Sequence, residues 1–109
     1  MSCEIRHEGD MAIVALSGDI DLEYSPKVRT ALLDCVGLKK GVLVDMSDVS
    51  YIDSSGVASL VEAFQTARKS DTKFGLVSVS QPAMRVLELA RLERIFSIYD
   101  SISDGIQQS

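Results

Sequence analysis

The sequence predicts an α/β fold in which a mixed β-sheet, opened by an antiparallel hairpin and continued by β-α-β units, packs against about four helices. Three observations carry this. A short edge-strand segment, Glu4 to His7, and an apolar one, Met11 to Leu16, flank the turn pair Gly9-Asp10, which is a hairpin pattern. Further apolar runs at Val42–Val44, Phe74–Val79 and Ile95–Tyr99 alternate with stretches of helical period. No linker, repeat or low-complexity stretch interrupts them, so residues 1–109 are read as a single domain.

The elements follow in order. Met11 to Leu16 is apolar on both faces and belongs at the centre of a sheet. Gly18 is expected to break that strand, leaving Asp19-Ile20-Asp21-Leu22 as an acidic loop. Ser25-Pro26 opens a helix, with serine as cap and proline at the first helical position. Val28, Leu32, Cys35 and Val36 repeat on one helical face, and Gly37 is expected to end it as a left-handed cap. After the strand Val42–Val44, a loop carrying Asp45, Asp48 and Asp53 leads to a helix that begins near Ser54. Val57, Leu60, Val61 and Phe64 face its core side, while Ser59, Glu62, Thr66 and Lys69 are expected outside. Pro82 opens a third helix with Val86, Leu87 and Ala90 on one face. Met84, Leu87, Leu89 and Leu92 are assigned to the core, the alternative being an exposed partner patch. Ser101 to Asp104 resembles a capping box before a short last helix.

Composition narrows the function. The net charge of −5 disfavours nucleic acid and anionic lipid, and suits a basic protein partner. Cys3 and Cys35 show no C-x-x-C spacing and read as reduced thiols. No apolar run approaches the ~18 residues of a membrane span. The first strand signal starts at Cys3-Glu4-Ile5-Arg6, which argues against a signal peptide. The expectation is a cytoplasmic protein without direct membrane binding, monomeric when free.

Tyr51-Ile52-Asp53-Ser54-Ser55-Gly56 is the segment that can carry chemistry. Ser54 and Ser55 fall at the start of a helix, where backbone N–H groups lack internal partners and the helix dipole favours negative charge. A phosphoserine there would carry about −1.5 to −2 charges close to Asp19, Asp21, Asp48 and Asp53, enough to alter binding of a partner. Aspartate and serine are also the usual capping residues, so the tetrapeptide alone reads more readily as a cap than as a modification site. Helix-start geometry does not choose between the two serines.

Other chemistries fit less well. A hydrolase needs a base for its serine, and the one histidine, His7, lies on the first strand. A receiver domain phosphorylated on Asp45 conflicts with the antiparallel opening and the lack of a lysine closing the fifth strand. No glycine-rich phosphate loop is present. No catalytic residue, metal or cofactor is assigned.

The longer run from Val42 through Asp45, Asp48 and Tyr51-Ile52 to Asp53-Ser54-Ser55-Gly56 resembles the signature of STAS-domain proteins, in particular the bacterial anti-sigma factor antagonists. Gly18-Asp19-Ile20-Asp21 resembles an earlier loop of that family, and the order of elements agrees over nearly the whole chain. The resemblance implies a STAS fold and a non-enzymatic, phosphorylation-controlled switch. Ser54 would accept phosphate, with Ser55 as second choice, from a GHKL-type serine kinase that is also an anti-sigma factor. A PPM-class phosphatase would remove it. Asp19, Asp21, Asp53, Ser54, Ser55 and Gly56 would form the partner-binding surface, Gly56 permitting close approach to the helix start. The kinase would supply ATP and Mg²⁺. The alternative is a STAS subunit that regulates a transport complex, such as a lipid-transport ATPase, by protein contact.

Overall fold

In the computed structural model, which describes residues 2–107, Gly9 takes a φ of 60° and turns the chain between β1 (Ser2–Glu8) and β2 (Met11–Ile20). These strands pair antiparallel, from Glu8 opposite Met11 to Ser2 opposite Ser17. β2, β3 (Gly41–Ile52), β4 (Phe74–Val77) and β5 (Ser97–Tyr99) then run parallel, in the sheet order β1-β2-β3-β4-β5. The connections are α1 (Ser25–Gly37), α2 (Ser54–Lys69) and α3 (Gln81–Leu89). Adding each parallel strand on the same side through right-handed crossovers puts the connecting helices on one face.

The core has the matching shape. Val28 and Leu32 of α1, Leu60 and Ala63 of α2 and Leu87 of α3 pack with Ala12, Val14, Val44 and Leu76 of the sheet. Phe64, Phe74 and Phe96 close one side, with ring centroids 5.4 to 6.3 Å apart. The opposite sheet face holds a smaller cluster of Met11, Ile13, Leu43 and Val77. It is covered by α4 (Ile102–Gln107), whose Gly105 lies so close that a Cβ would stand 2.9 Å from Leu43 Cδ1. The Ser101 hydroxyl caps this helix, accepting from Asp104 N at 3.1 Å.

Several elements depart from the sequence expectation. β3 is much longer than Val42–Val44, and it absorbs the region read as a loop around Asp45 and Asp48. The pairing shows why. Ser17 sits opposite Asp48 and Asp19 opposite Tyr51, so β3 carries an extra residue at each of two irregularities. The bulges spoil the two-residue alternation. Met46, Val49 and Ile52, three apart, are the buried residues of this stretch. Gly18, with a φ of 79°, accompanies the bulge and does not end β2; Asp19 and Ile20 remain in the strand.

The ends of α1 also differ. Ser25 is not its cap. Tyr24 holds the cap position without a side-chain bond, and Asp21 braces the turn before it, its carboxylate accepting from Tyr24 N at 3.0 Å and its carbonyl from Ser25 N at 2.8 Å. Gly37 ends the helix without left-handed geometry; Lys39, at a φ of 59°, makes that turn. Ser59 is buried, not exposed. Leu89 is 81% exposed, while Leu87 is fully buried and Met84 and Leu92 are half-buried, so the four residues assigned to the core divide. β4 stops at Val77, because Ser78 takes a φ of 51°, and β5 begins only at Ser97.

Candidate functional site

The parallel strands β2 and β3 finish together, with Ile20 opposite Ile52. The next residue, Asp53, is extended, with φ −101° and ψ −174°, and forms the N-cap of α2. Its backbone N–H donates to Ile20 O at 3.1 Å, which ties the two strand ends together. Its Oδ1 accepts from Ser55 N at 2.9 Å, Gly56 N at 3.1 Å and the Ser55 hydroxyl at 2.5 Å. The Ser55 hydroxyl, then the backbone N–H groups of Gly56, Ser55 and Leu22, hold the Asp53 carboxyl below the usual aspartate range, outweighing partial burial.

This cap divides the two serines. Ser55 is half-buried and its hydroxyl is engaged by Asp53. Ser54 is exposed, and its hydroxyl makes no hydrogen bond among the described residues. The cap also uses the helix-start donors of Ser55 and Gly56, which the sequence alone leaves open for a phosphate. An anion on Ser54 therefore meets the Asp53 carboxylate as a neighbour, and the dipole of α2 favours both charges.

Gly56 is buried and faces inward. A Cβ there would lie 2.7 Å from Ile52 Cγ1, 2.9 Å from Ile20 Cγ2 and 3.0 Å from Ile20 O. The close approach it permits here is that of this chain's own strand ends. Asp19 is exposed at the end of β2 beside Tyr51, which is 51% exposed. Asp21 is half-buried and held in the turn before α1. Leu22, between that turn and the cap, is 74% exposed. Asp19, Asp21, Asp53 and Ser54 thus share one end of the sheet. Asp48 lies on the same stretch of β3, opposite Ser17. His7 lies opposite Ala12, toward the other end, away from Ser54.

Sequence reasoning missed the support beneath this surface. The buried Ser59 hydroxyl stands 3.1 Å from Ser55 O and 3.3 Å from Ser25 O, joining the first turns of α1 and α2. One turn further on, Arg29 Nη2 and Glu62 Oε2 are 2.6 Å apart. A serine four residues after Ser55 was the available signal, since Ser and Thr bond back to the i−4 carbonyl. Among the described residues, no group of three or more His, Cys, Asp or Glu is placed to hold a metal ion, and no helix is long and apolar enough to cross a membrane.

A hairpin-opened mixed sheet with a capped serine pair at its β3–α2 junction is the architecture of a known family. The STAS domain model matches residues 2–105, and the chain belongs to the STAS-domain family. It is 32% identical over 101 residues to the anti-sigma-B factor antagonist of Listeria monocytogenes, covering 90% of this chain and 88% of that protein. The anti-sigma-B factor antagonist of Bacillus subtilis is 26% identical over 102 residues, 94% of this chain and 93% of that one. The crystal structure of an anti-sigma factor antagonist from Mycobacterium paratuberculosis superposes with a TM-score of 0.89 at 25% identity, covering 98% of this chain and 92% of that one.

Proposed function

We propose that this chain is a partner-switching regulator of the anti-sigma factor antagonist type. With Ser54 free, it binds a GHKL-type serine kinase that is also an anti-sigma factor; with Ser54 phosphorylated, it releases that partner. The supporting observation is the contrast at the start of α2, where Ser54 is exposed and Ser55 is half-buried and bonded to Asp53. The names of the relatives support an anti-sigma factor as that partner.

The chemistry asks little of this chain. Ser54 Oγ attacks the γ-phosphorus of the kinase's ATP, the bond to ADP breaks, and the hydroxyl proton passes to a base on the kinase. A PPM-class phosphatase hydrolyses the ester, returning the serine and releasing phosphate. Asp19, Asp21 and Asp53 form the acidic surround, with Leu22 and Tyr51 as exposed apolar contacts. Phosphate adds about −1.5 to −2 charges next to the Asp53 carboxylate, so a partner docked on this end must accommodate both. This repulsion, with the desolvation it imposes, is the switch.

Affinity capture from native lysate with wild type and Ser54→Asp tests the reading. One kinase should be retained by wild type and lost or weakened with the variant; equal retention by both overturns the switch. Incubation with that kinase and Mg-ATP should place phosphate on Ser54. Phosphate on Ser55 alone overturns the residue assignment.

A further inference from the structure

The edge strand β1 offers a second surface, remote from Ser54 in the fold. β1 pairs only with β2, so its outer edge of N–H and C=O groups is open. Ile5 is the middle residue of the strand and is 45% exposed. It borders a shallow groove of about 500 Å³ lined also by Pro26, Lys27, Thr30, Ala31 and Asp34 of α1.

We propose that this edge pairs with the same edge of a second copy, forming a twofold dimer with a continuous sheet across β1 and its mate. The occupant is identified by charge. In an antiparallel pair centred on Ile5, Ile5 faces Ile5, Glu4 faces Arg6, Arg6 faces Glu4 and Cys3 faces His7. Directly opposed opposite charges stabilise such a pair, and like charges destabilise it. Shifting the register by two residues in one direction puts Glu4 against Glu4. Shifting it in the other puts Arg6 against Arg6 and Glu4 against Glu8. The sequence of β1 therefore selects one register and makes it self-complementary, as an isologous interface requires. In the free chain Arg6 Nε lies 3.4 Å from Glu8 Oε1, a solvent-exposed contact from which it can turn to Glu4 of the second copy.

The helix beside the strand repeats the pattern. A twofold axis perpendicular to the extended sheet makes the two α1 helices antiparallel on the same face. The stripe Lys27, Thr30, Ala31, Asp34 then meets itself, with Lys27 opposite Asp34 and Thr30 opposite Ala31. The small central pair lets the helices approach, and the charges at its ends match. Strand and helix thus give independent, concordant reasons for the same axis. The free monomer expected from the sequence would then be the dilute form.

Sedimentation equilibrium on the full chain, from about 1 µM to about 1 mM, is the test. Wild type should double its mass as concentration rises. Glu4→Arg makes both positions flanking Ile5 basic, and Arg6→Glu makes both acidic; each alone should weaken dimerisation at least about tenfold. Mixed in equal amounts, the two variants should dimerise with each other, because the two basic side chains beside Ile5 of one then face the two acidic side chains of the other. Both substitutions are on exposed side chains, and a circular dichroism melt verifies folding before the mixture is read. A wild type that stays monomeric over the whole range overturns the proposal. So does a dimer unaffected by either reversal, or a folded mixture that fails to associate.

Discussion

The Ser55 hydroxyl donates a 2.5 Å hydrogen bond to Asp53 Oδ1, the same oxygen that accepts the backbone N–H groups of Ser55 and Gly56. One carboxylate oxygen therefore caps α2 and restrains the second serine of the motif, while the first stays exposed. This is the feature that separates two residues indistinguishable by type and helix position.

Asp53→Ala removes the cap and frees the Ser55 hydroxyl. The expected loss is about 1 to 2 kcal/mol of folding stability, measured by urea denaturation, with Asp53→Asn losing less because asparagine also caps. Given the kinase partner, Asp53→Ala should also let phosphate appear on Ser55 beside Ser54, which phosphosite mapping would detect.

Stability should fall in acid with a contribution from this residue. Hydrogen bonds from Ser55, Gly56 and Leu22 hold the folded Asp53 pKa below its unfolded value. Its contribution is thus fully present above about pH 4, the unfolded range, and is lost as pH drops through the folded value. Urea melts at neutral and acid pH should show a smaller pH dependence in Asp53→Asn than in wild type.

Two of the helical glycines, Gly37 and Gly56, should respond to alanine with opposite sign. Nothing lies within 4 Å of a Cβ built on Gly37, so Gly37→Ala should stabilise by about 0.5 to 1 kcal/mol through helix propensity. A Cβ on Gly56 would press on Ile52 Cγ1 and Ile20 O, at 2.7 and 3.0 Å. Gly56→Ala should therefore destabilise by about 1 to 3 kcal/mol despite the same gain in propensity. Thermal melts of both variants decide the matter.

Ser59→Ala should cost about 1 kcal/mol, the net worth of its hydrogen bonding between the first turns of α1 and α2. Ser70→Ala is the control, since its hydroxyl bonds mainly within its own helix end and is exposed. A larger loss at Ser70 than at Ser59 would contradict the bridging role.

Element order, sheet type and the start of α2 were legible because each rests on a local signal: apolar runs, helical spacing, and Asp-Ser-Ser-Gly. The length of β3 was hidden because its bulges break the two-residue alternation that identifies strands. The α1 cap was misassigned because Ser25-Pro26 matches a start motif, yet the turn braced by Asp21 moves the cap position to Tyr24. At the site, the acidic residues could be named from sequence, but the direction Gly56 faces could not. That depends on where Ile20 arrives, and Ile20 is more than thirty residues earlier in the chain. The engagement of Ser55 likewise exists only once Asp53 has its rotamer.

The bond from Asp53 N to Ile20 O, with Gly56 wedged against Ile20 and Ile52, makes this junction a mounting plate and not a hinge. A group added to Ser54 finds no loose part behind it to push. Whatever information such a group carries must be written on the outside, as a change of texture and charge for a neighbour to read. The interior needs only to keep the plate flat for the same face to be presented.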